Sequence, residues 1–166
     1  MLRRSLRLGT CCQVSVFFLS VLWFSLPLAD GLARSPQEPL SVLPFTATAI
    51  DGSPIQVPTT EVTEGSVKAI TVVCFVGNDC PLVKLYASRL RELSEKFANQ
   101  HVKFLAINSN YQDSLAKITS FVQEHSLGFP MIADSEHRLA NHFQAQRTPE
   151  IFVLDQEMLV RYRGRV

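Results

Sequence analysis

The spacing of hydrophobic residues predicts a buried strand followed at once by a helix. Residues 67–76 contain an apolar, largely β-branched run, Ala-Ile-Thr-Val-Val-Cys-Phe-Val, which is typical of a strand buried on both faces. Gly77-Asn78-Asp79 ends this strand, and Pro81 suits the first turn of a helix because its missing N–H costs nothing there. Four apolar residues then recur at helical spacing: Tyr86, Leu90, Leu93 and Phe97.

The remaining pattern predicts an α/β sandwich with a mixed sheet. Residues 45–57 flank Asp51-Gly52, a strong turn dipeptide, and predict a small hairpin beside the main sheet. Downstream we expect a strand over 102–107, a helix capped by Asp113 or Ser114, a short apolar stretch over 129–133, a helix capped by Asp134 or Ser135, and strands over 151–154 and 158–163. The two helices are expected to turn inward Leu115, Ile118 and Val122, and Leu139, Ala140 and Phe143.

Residues 1–33 have the pattern of an export signal. Arg3, Arg4 and Arg7 precede an apolar run over 14–28, and small residues follow it. The run is shorter than the ~20 residues that span a bilayer comfortably, so we expect a signal peptide that is cleaved after Ala29 or Ala33. The mature protein would then be periplasmic or otherwise extracytoplasmic, and membrane-anchored only if the signal is uncleaved.

Composition and charge exclude several function classes for the rest of the chain. Residues 34–44 are rich in proline and serine and predict a linker, and residues 45–166 predict one domain. Cleavage after Ala33 would leave 16 − 3 = 13 Lys and Arg against 15 − 1 = 14 Asp and Glu. This near-neutral balance gives no electrostatic reason to expect a nucleic-acid partner, and no glycine-rich loop indicates a nucleotide cofactor. Four histidines lack metal-ligand spacing, so we expect surface or capping roles and no metal: His101, His125, His137 and His142.

Two cysteines remain after the predicted cleavage, Cys74 and Cys80. Cys80 lies where the strand turns into the helix, so helix-end N–H groups and the helix dipole can stabilise a thiolate there. The alternative is a small, buried helix-start residue with an ordinary or raised pKa. Extended backbone over 74–77 separates the two cysteines by roughly 10 Å, beyond disulfide reach, so Cys74 is interpreted as a core residue.

Thr148-Pro149 lies immediately before a predicted strand. A proline there can hold a tight turn, with a cis peptide bond as one option, and can present backbone groups to a neighbouring thiol. The alternative is a proline that only ends the preceding loop.

Two segments resemble proteins of the thioredoxin-like superfamily. Residues 75–83, Phe-Val-Gly-Asn-Asp-Cys-Pro-Leu-Val, resemble the strand and active-site turn, and residues 147–155, Arg-Thr-Pro-Glu-Ile-Phe-Val-Leu-Asp, resemble the cis-proline loop and the next strand. The resemblance runs from about Phe45 to the end of the chain. It is closest to secreted bacterial redoxins of the alkyl-hydroperoxide-reductase and thiol-specific-antioxidant (AhpC/TSA) type.

The resemblance implies a thioredoxin-like fold and thiol-disulfide or peroxide chemistry. By position Cys80 matches the attacking cysteine, Thr148 and Pro149 shape the site, and Arg147 matches the activating arginine of peroxiredoxins. The implied partners are an external thiol reductant or a protein disulfide substrate.

Several positions depart from the family patterns. Val83 stands where a Cys-x-x-Cys pair needs its second cysteine, and Gly77 replaces the threonine of the peroxiredoxin pattern. Lys84 stands where copper-delivery proteins of this fold have their second cysteine. The sequence ends at residues 164–166, where such domains usually continue into a C-terminal helix, so we expect that helix to be missing and the domain to be truncated or covered by a partner.

These observations favour a thiol oxidoreductase that uses the single cysteine Cys80 with an external reductant. Two alternatives remain open. One is a non-enzymatic binding module that keeps the thioredoxin fold, and the other is a truncated, inactive fragment of a larger redoxin.

Overall fold

The computed structural model describes residues 40–58 and 69–166. In chain order these residues form strands and helices with the following bounds: β1 Phe45–Thr48, β2 Pro54–Val57, β3 Ile70–Val76, α1 Pro81–Phe97, β4 Val102–Asn108, α2 Leu115–Glu124, β5 Met131–Ala133, α3 Arg138–Phe143, β6 Glu150–Leu154 and β7 Val160–Gly164. The predicted signal peptide and residues 34–39 of the predicted linker lie outside the described residues.

The central sheet is mixed, as predicted, and its strand order is β5-β4-β3-β6-β7. Strands β3, β4 and β5 are parallel, whereas β6 is antiparallel to β3 and β7 is antiparallel to β6. Val76 pairs with Asn108, and Asn108 pairs with Ala133. The carboxyl ends of the three parallel strands therefore meet at one edge of the sheet, and α1 begins at this edge.

The apolar run of β3 supplies both faces of the sheet, because successive side chains of a strand point to opposite sides. Val72, Cys74 and Val76 belong to a core shared with α1 and α2. Val73 and Phe75 belong to a second core shared with α3 and the β1–β2 hairpin. The hairpin forms a separate two-stranded sheet, as predicted, and its Gly52 has a φ of +86° that a glycine tolerates at a turn.

Two predicted helix faces need correction. Leu115, the first residue of α2, is 55% exposed, and the residues that α2 buries are Ile118 and Phe121. In α1 the fully buried stripe consists of Val83, Ala87 and Leu90, and the other predicted inward residues are half-buried.

Helix starts follow the expected chemistry with one change. The Ser114 hydroxyl accepts a hydrogen bond from the Lys117 N–H and so caps α2, as one of the two predicted choices. At α3 the capping residue by position is His137, but the Asp134 carboxyl group accepts from the N–H groups of Leu139 and Ala140. Asp134 therefore satisfies the free helix-end donors, as predicted.

Residues 40–42, which the sequence assigned to a linker, pack against the sheet. The Val42 N–H donates to the Met158 carbonyl at 3.0 Å, and the Val160 N–H donates to the Leu40 carbonyl at 2.8 Å. Val42 is also buried in the core that includes α3. Packed residues therefore precede the predicted domain start at Phe45.

An apolar groove of about 360 Å³ lies between α1 and the β3–β6–β7 part of the sheet. Its lining includes Leu90, Leu93 and Phe97 from α1 and Val72, Ile151 and Val153 from the sheet.

The predicted absence of a C-terminal helix stays a prediction. Over residues 40–58 and 69–166, no helix is long and apolar enough to cross a membrane.

Candidate active site

Cys80 lies at the junction between β3 and α1. The turn over residues 77–80 is closed by a hydrogen bond from the Cys80 N–H to the Gly77 carbonyl at 3.1 Å. Cys80 has extended backbone angles, φ −75° and ψ 116°, and Pro81 is the first helical residue. The sulfur of a half-buried cysteine is thereby placed over the free N–H groups of the first helical turn.

The loop between α3 and β6 faces Cys80 from the other side. Its Thr148–Pro149 peptide bond is cis, and Pro149 is fully buried. The Cys80 thiol donates to the Thr148 carbonyl oxygen at an Sγ–O distance of 3.3 Å. A Cβ atom added at Gly77 would lie 3.6 Å from Thr148 Oγ1, so the Thr148 hydroxyl lies beside the same turn. The structure brings together three of the four predicted site residues.

Arg147, the fourth, is exposed. Its backbone N–H bonds to the Glu150 carboxylate, but across the described segments its guanidinium group takes part in no hydrogen bond or ion pair. The geometry therefore gives Arg147 no contact with Cys80, and its predicted activating role stays a prediction.

The two described cysteines differ sharply in acidity. Partial burial raises the pKa of Cys80, but the polar groups that face its sulfur, the Val83 N–H, the Thr148 side chain and the Leu82 N–H, outweigh this effect and lower the pKa below its ordinary value. Burial raises the pKa of Cys74 to about 12. Because the thiolate is the nucleophilic form of cysteine, the surroundings of Cys80 favour nucleophilic attack more than those of Cys74. Both cysteines are free thiols, and Cys74 is a core residue, as predicted.

A buried polar cluster of Asn78, Asn108 and Asp113 holds the turn that precedes Cys80. Asp113 Oδ2 accepts from the Asn78 N–H at 3.0 Å and from Asn108 Nδ2 at 2.9 Å. Asn108 Nδ2 also donates to Asn78 Oδ1 at 3.0 Å. From the sequence, Asp113 was expected only as a helix cap. The available signal was a polar residue, Asn108, at the end of an apolar strand.

A second buried carboxylate, Glu150, follows Pro149 directly. It accepts from the Gln146 N–H at 2.7 Å and from Arg163 Nε at 2.8 Å. Burial raises the pKa of Glu150, but the hydrogen bonds and the charge of Arg163 outweigh this effect and lower it. Sequence reasoning assigned no role to either residue.

The family model described as the AhpC/TSA family matches residues 41–163. The chain belongs to the AhpC/TSA family. Among curated proteins, none matches the chain significantly.

Solved structures share the architecture of this AhpC/TSA chain. An uncharacterized conserved protein from Geobacillus kaustophilus is 28% identical, with a TM-score of 0.67, and the match covers 76% of this chain and 68% of that one. A secreted Mycobacterium tuberculosis disulfide oxidoreductase, homologous to Escherichia coli DsbE, is 20% identical with a TM-score of 0.61, covering 74% and 83%. StoA from Bacillus subtilis is 20% identical with a TM-score of 0.64, covering 76% and 90%. The AhpC/TSA chain therefore has a thioredoxin-like fold, as predicted.

The histidines of this AhpC/TSA chain lie apart from Cys80 in the sequence and serve local structure. His125 occupies the C-cap position of α2 and His137 the N-cap position of α3, but the His137 side chain makes no capping hydrogen bond. His142 Nε2 lies 2.8 Å from the Leu43 carbonyl oxygen. Where the structure is described, no three His, Cys, Asp or Glu side chains are placed to hold a metal ion together.

Proposed function

We propose that this AhpC/TSA chain is a single-cysteine thiol oxidoreductase whose nucleophile is the Cys80 thiolate. The observation that carries the proposal is the position of the Cys80 sulfur. It lies half-exposed at the start of α1, next to the Thr148 carbonyl, and has a lowered pKa. A low-pKa thiol at a helix N-terminus is the arrangement that favours nucleophilic attack at neutral pH.

In the reaction with a disulfide, the thiolate attacks one sulfur and forms a mixed disulfide with Cys80, while the other sulfur leaves as a thiolate and takes a proton. An external thiol then attacks the mixed disulfide, releases Cys80 and takes over the bound half. A second external thiol reduces that new disulfide. The external thiol is required because Val83 occupies the position from which a second cysteine would act.

We favour a disulfide over a peroxide as the substrate. Reduction of a peroxide by Cys80 would give an alcohol and a sulfenic acid on Cys80. A thiol would then condense with the sulfenic acid, forming a mixed disulfide and releasing water. However, Gly77 brings no hydroxyl group to the turn, and the Arg147 guanidinium group does not contact Cys80. The disulfide oxidoreductase from Mycobacterium tuberculosis with the same fold supports this preference.

The proposed place of action is outside the cytoplasm. The arginines and apolar run within residues 1–33 support export, and the structurally similar Mycobacterium tuberculosis protein is secreted. We propose a small thiol as reductant and a protein disulfide as substrate.

The test is the pH dependence of Cys80 alkylation in the purified chain, followed peptide by peptide with mass spectrometry. A lowered pKa puts the thiolate in excess at lower pH, so the midpoint is expected below the ordinary ~8.5 of a free cysteine. Cys74 serves as the internal control and is expected to stay unmodified in the folded protein. Cys80→Ser should abolish thiol-dependent reduction of a model disulfide, and Cys74→Ala should retain it. A midpoint at or above ~8.5 without turnover would favour the binding module.

A further inference from the structure

Glu150 is a carboxylate that a sheet would not ordinarily bury. It is the first residue of β6 and only 3% exposed, and it pairs across the sheet with Phe75 near the end of β3. A buried carboxylate is costly unless it is paired and hydrogen-bonded. The partners of Glu150 therefore indicate what its burial achieves.

Two of these partners are backbone donors of the loop that leads to Thr148. Glu150 Oε2 accepts from the Gln146 N–H at 2.7 Å, and the Arg147 N–H also bonds to the carboxylate. Both donors immediately precede Thr148, whose carbonyl oxygen receives the Cys80 thiol. The carboxylate thus fixes the backbone that carries the acceptor and the hydroxyl group next to the sulfur.

Arg163 completes the arrangement from the neighbouring strand. Its Nε donates to Glu150 Oε1 at 2.8 Å, and its Nη2 donates to the Gln144 carbonyl at 2.6 Å. Its guanidinium group also lies 5.1 Å from the centre of the Phe152 ring. Arg163 therefore connects the carboxylate to the beginning of the loop, while Glu150 holds its later residues.

We propose that Glu150, paired with Arg163, is a positioning residue that holds the Thr148–Pro149 loop against the Cys80 sulfur. The inference rests on the proposed function of Cys80. A neutral amide in place of the carboxylate keeps one acceptor oxygen but turns an NH2 group toward either the loop N–H groups or Arg163, so the loop is held less firmly. The Thr148 hydroxyl group, which favours the thiolate, then moves relative to the sulfur and stabilises the thiolate less. Four other charged groups lie near Cys80 along the chain or across the site. Asp79, Lys84 and Arg147 are exposed, and Asp113 belongs to the buried cluster with Asn78 and Asn108.

The test compares Glu150→Gln, which keeps the side-chain shape, with a matched control on the same hairpin, Asp155→Asn. Asp155 also pairs with an arginine, Arg161, but it lies at the far end of β6. Alkylation of Cys80 is measured against pH in the purified full chain. We expect Glu150→Gln to raise the midpoint and to slow alkylation at pH 6 about two- to fourfold, since the smaller thiolate fraction is partly offset by higher nucleophilicity. Asp155→Asn should leave the profile unchanged.

Two further measurements separate positioning from a purely structural role. Amide hydrogen exchange should accelerate in the loop over 144–149 in Glu150→Gln but not in Asp155→Asn. Arg163→Lys keeps the positive charge but cannot reproduce both hydrogen bonds, so its midpoint should fall between those of the parent chain and Glu150→Gln. An unchanged Cys80 profile in a folded Glu150→Gln chain overturns this inference alone. An ordinary midpoint in the unsubstituted chain overturns the proposed function instead.

Discussion

Replacing Asp113 with alanine tests whether the buried polar cluster holds the turn before Cys80. The side chain is 7% exposed, and its Oδ2 atom accepts hydrogen bonds from the Asn78 N–H and from Asn108 Nδ2. A buried donor that loses its partner costs about 1–3 kcal/mol. Asn108 Nδ2 keeps its second bond, to Asn78 Oδ1, so the larger share of the loss falls on the Asn78 N–H.

Two effects reduce this loss. Asp113 Oδ1 is buried without a partner in the described structure, so its removal relieves an existing penalty, and a buried carboxyl group is itself costly to desolvate. We therefore expect Asp113→Ala to lower the free energy of unfolding by about 1–2 kcal/mol. With a urea m-value of about 2 kcal/mol per M, the midpoint falls by roughly 0.5–1 M.

The assay is urea unfolding followed by circular dichroism, with Asp79→Ala as the matched control. Asp79 is an exposed aspartate in the same turn, and its replacement should change stability by less than about 0.5 kcal/mol. Equal, small losses in the two variants would refute the reasoning, because the cluster would then contribute nothing that an exposed residue does not.

Two substitutions next to the sulfur give further predictions. Thr148→Val keeps the side-chain shape but removes the hydroxyl group that favours the thiolate. The pKa of Cys80 should therefore rise, and the alkylation midpoint should move to higher pH. An unmoved midpoint would assign the stabilisation to the helix N–H groups alone. Val83→Cys places a second thiol one helical turn from Cys80, where Cβ atoms are about 5–6 Å apart. In air this variant should form an internal disulfide that blocks alkylation of Cys80 until dithiothreitol is added. Persistent alkylation of Cys80 without reductant would contradict this geometry.

Local signals were sufficient to predict the elements that form the site. The run ending at Val76 predicted a central strand, Pro81 predicted the helix start, and Asp51-Gly52 predicted the hairpin. Each signal lies within a few residues of the feature it predicts, so it can be recognised without knowing which distant segments pack together. The placement of Cys80 at a helix N-terminus follows from these signals alone.

The supporting hydrogen bonds could not be predicted in the same way. Asp113 and Asn78 are 35 residues apart, and Glu150 and Arg163 are 13 apart. Their meeting depends on strand order and register, which place separate segments side by side. A pattern analysis also assigns acidic residues to the surface by default, whereas Glu150 and Asp113 are buried because each satisfies backbone donors near the site.

The same geometry limits which sulfur could act second in the proposed catalytic cycle. Cys74 is fully buried in the core between β3 and α1, and burial raises its pKa to about 12. A resolving cysteine must become a thiolate and reach the sulfur of Cys80. The apolar surroundings of Cys74 oppose its ionisation to a thiolate. Val83 lies where a neighbouring cysteine would act, but it offers only a backbone N–H to Cys80. In the proposed cycle, a disulfide formed at Cys80 would therefore have to be resolved by a thiol from outside the described residues.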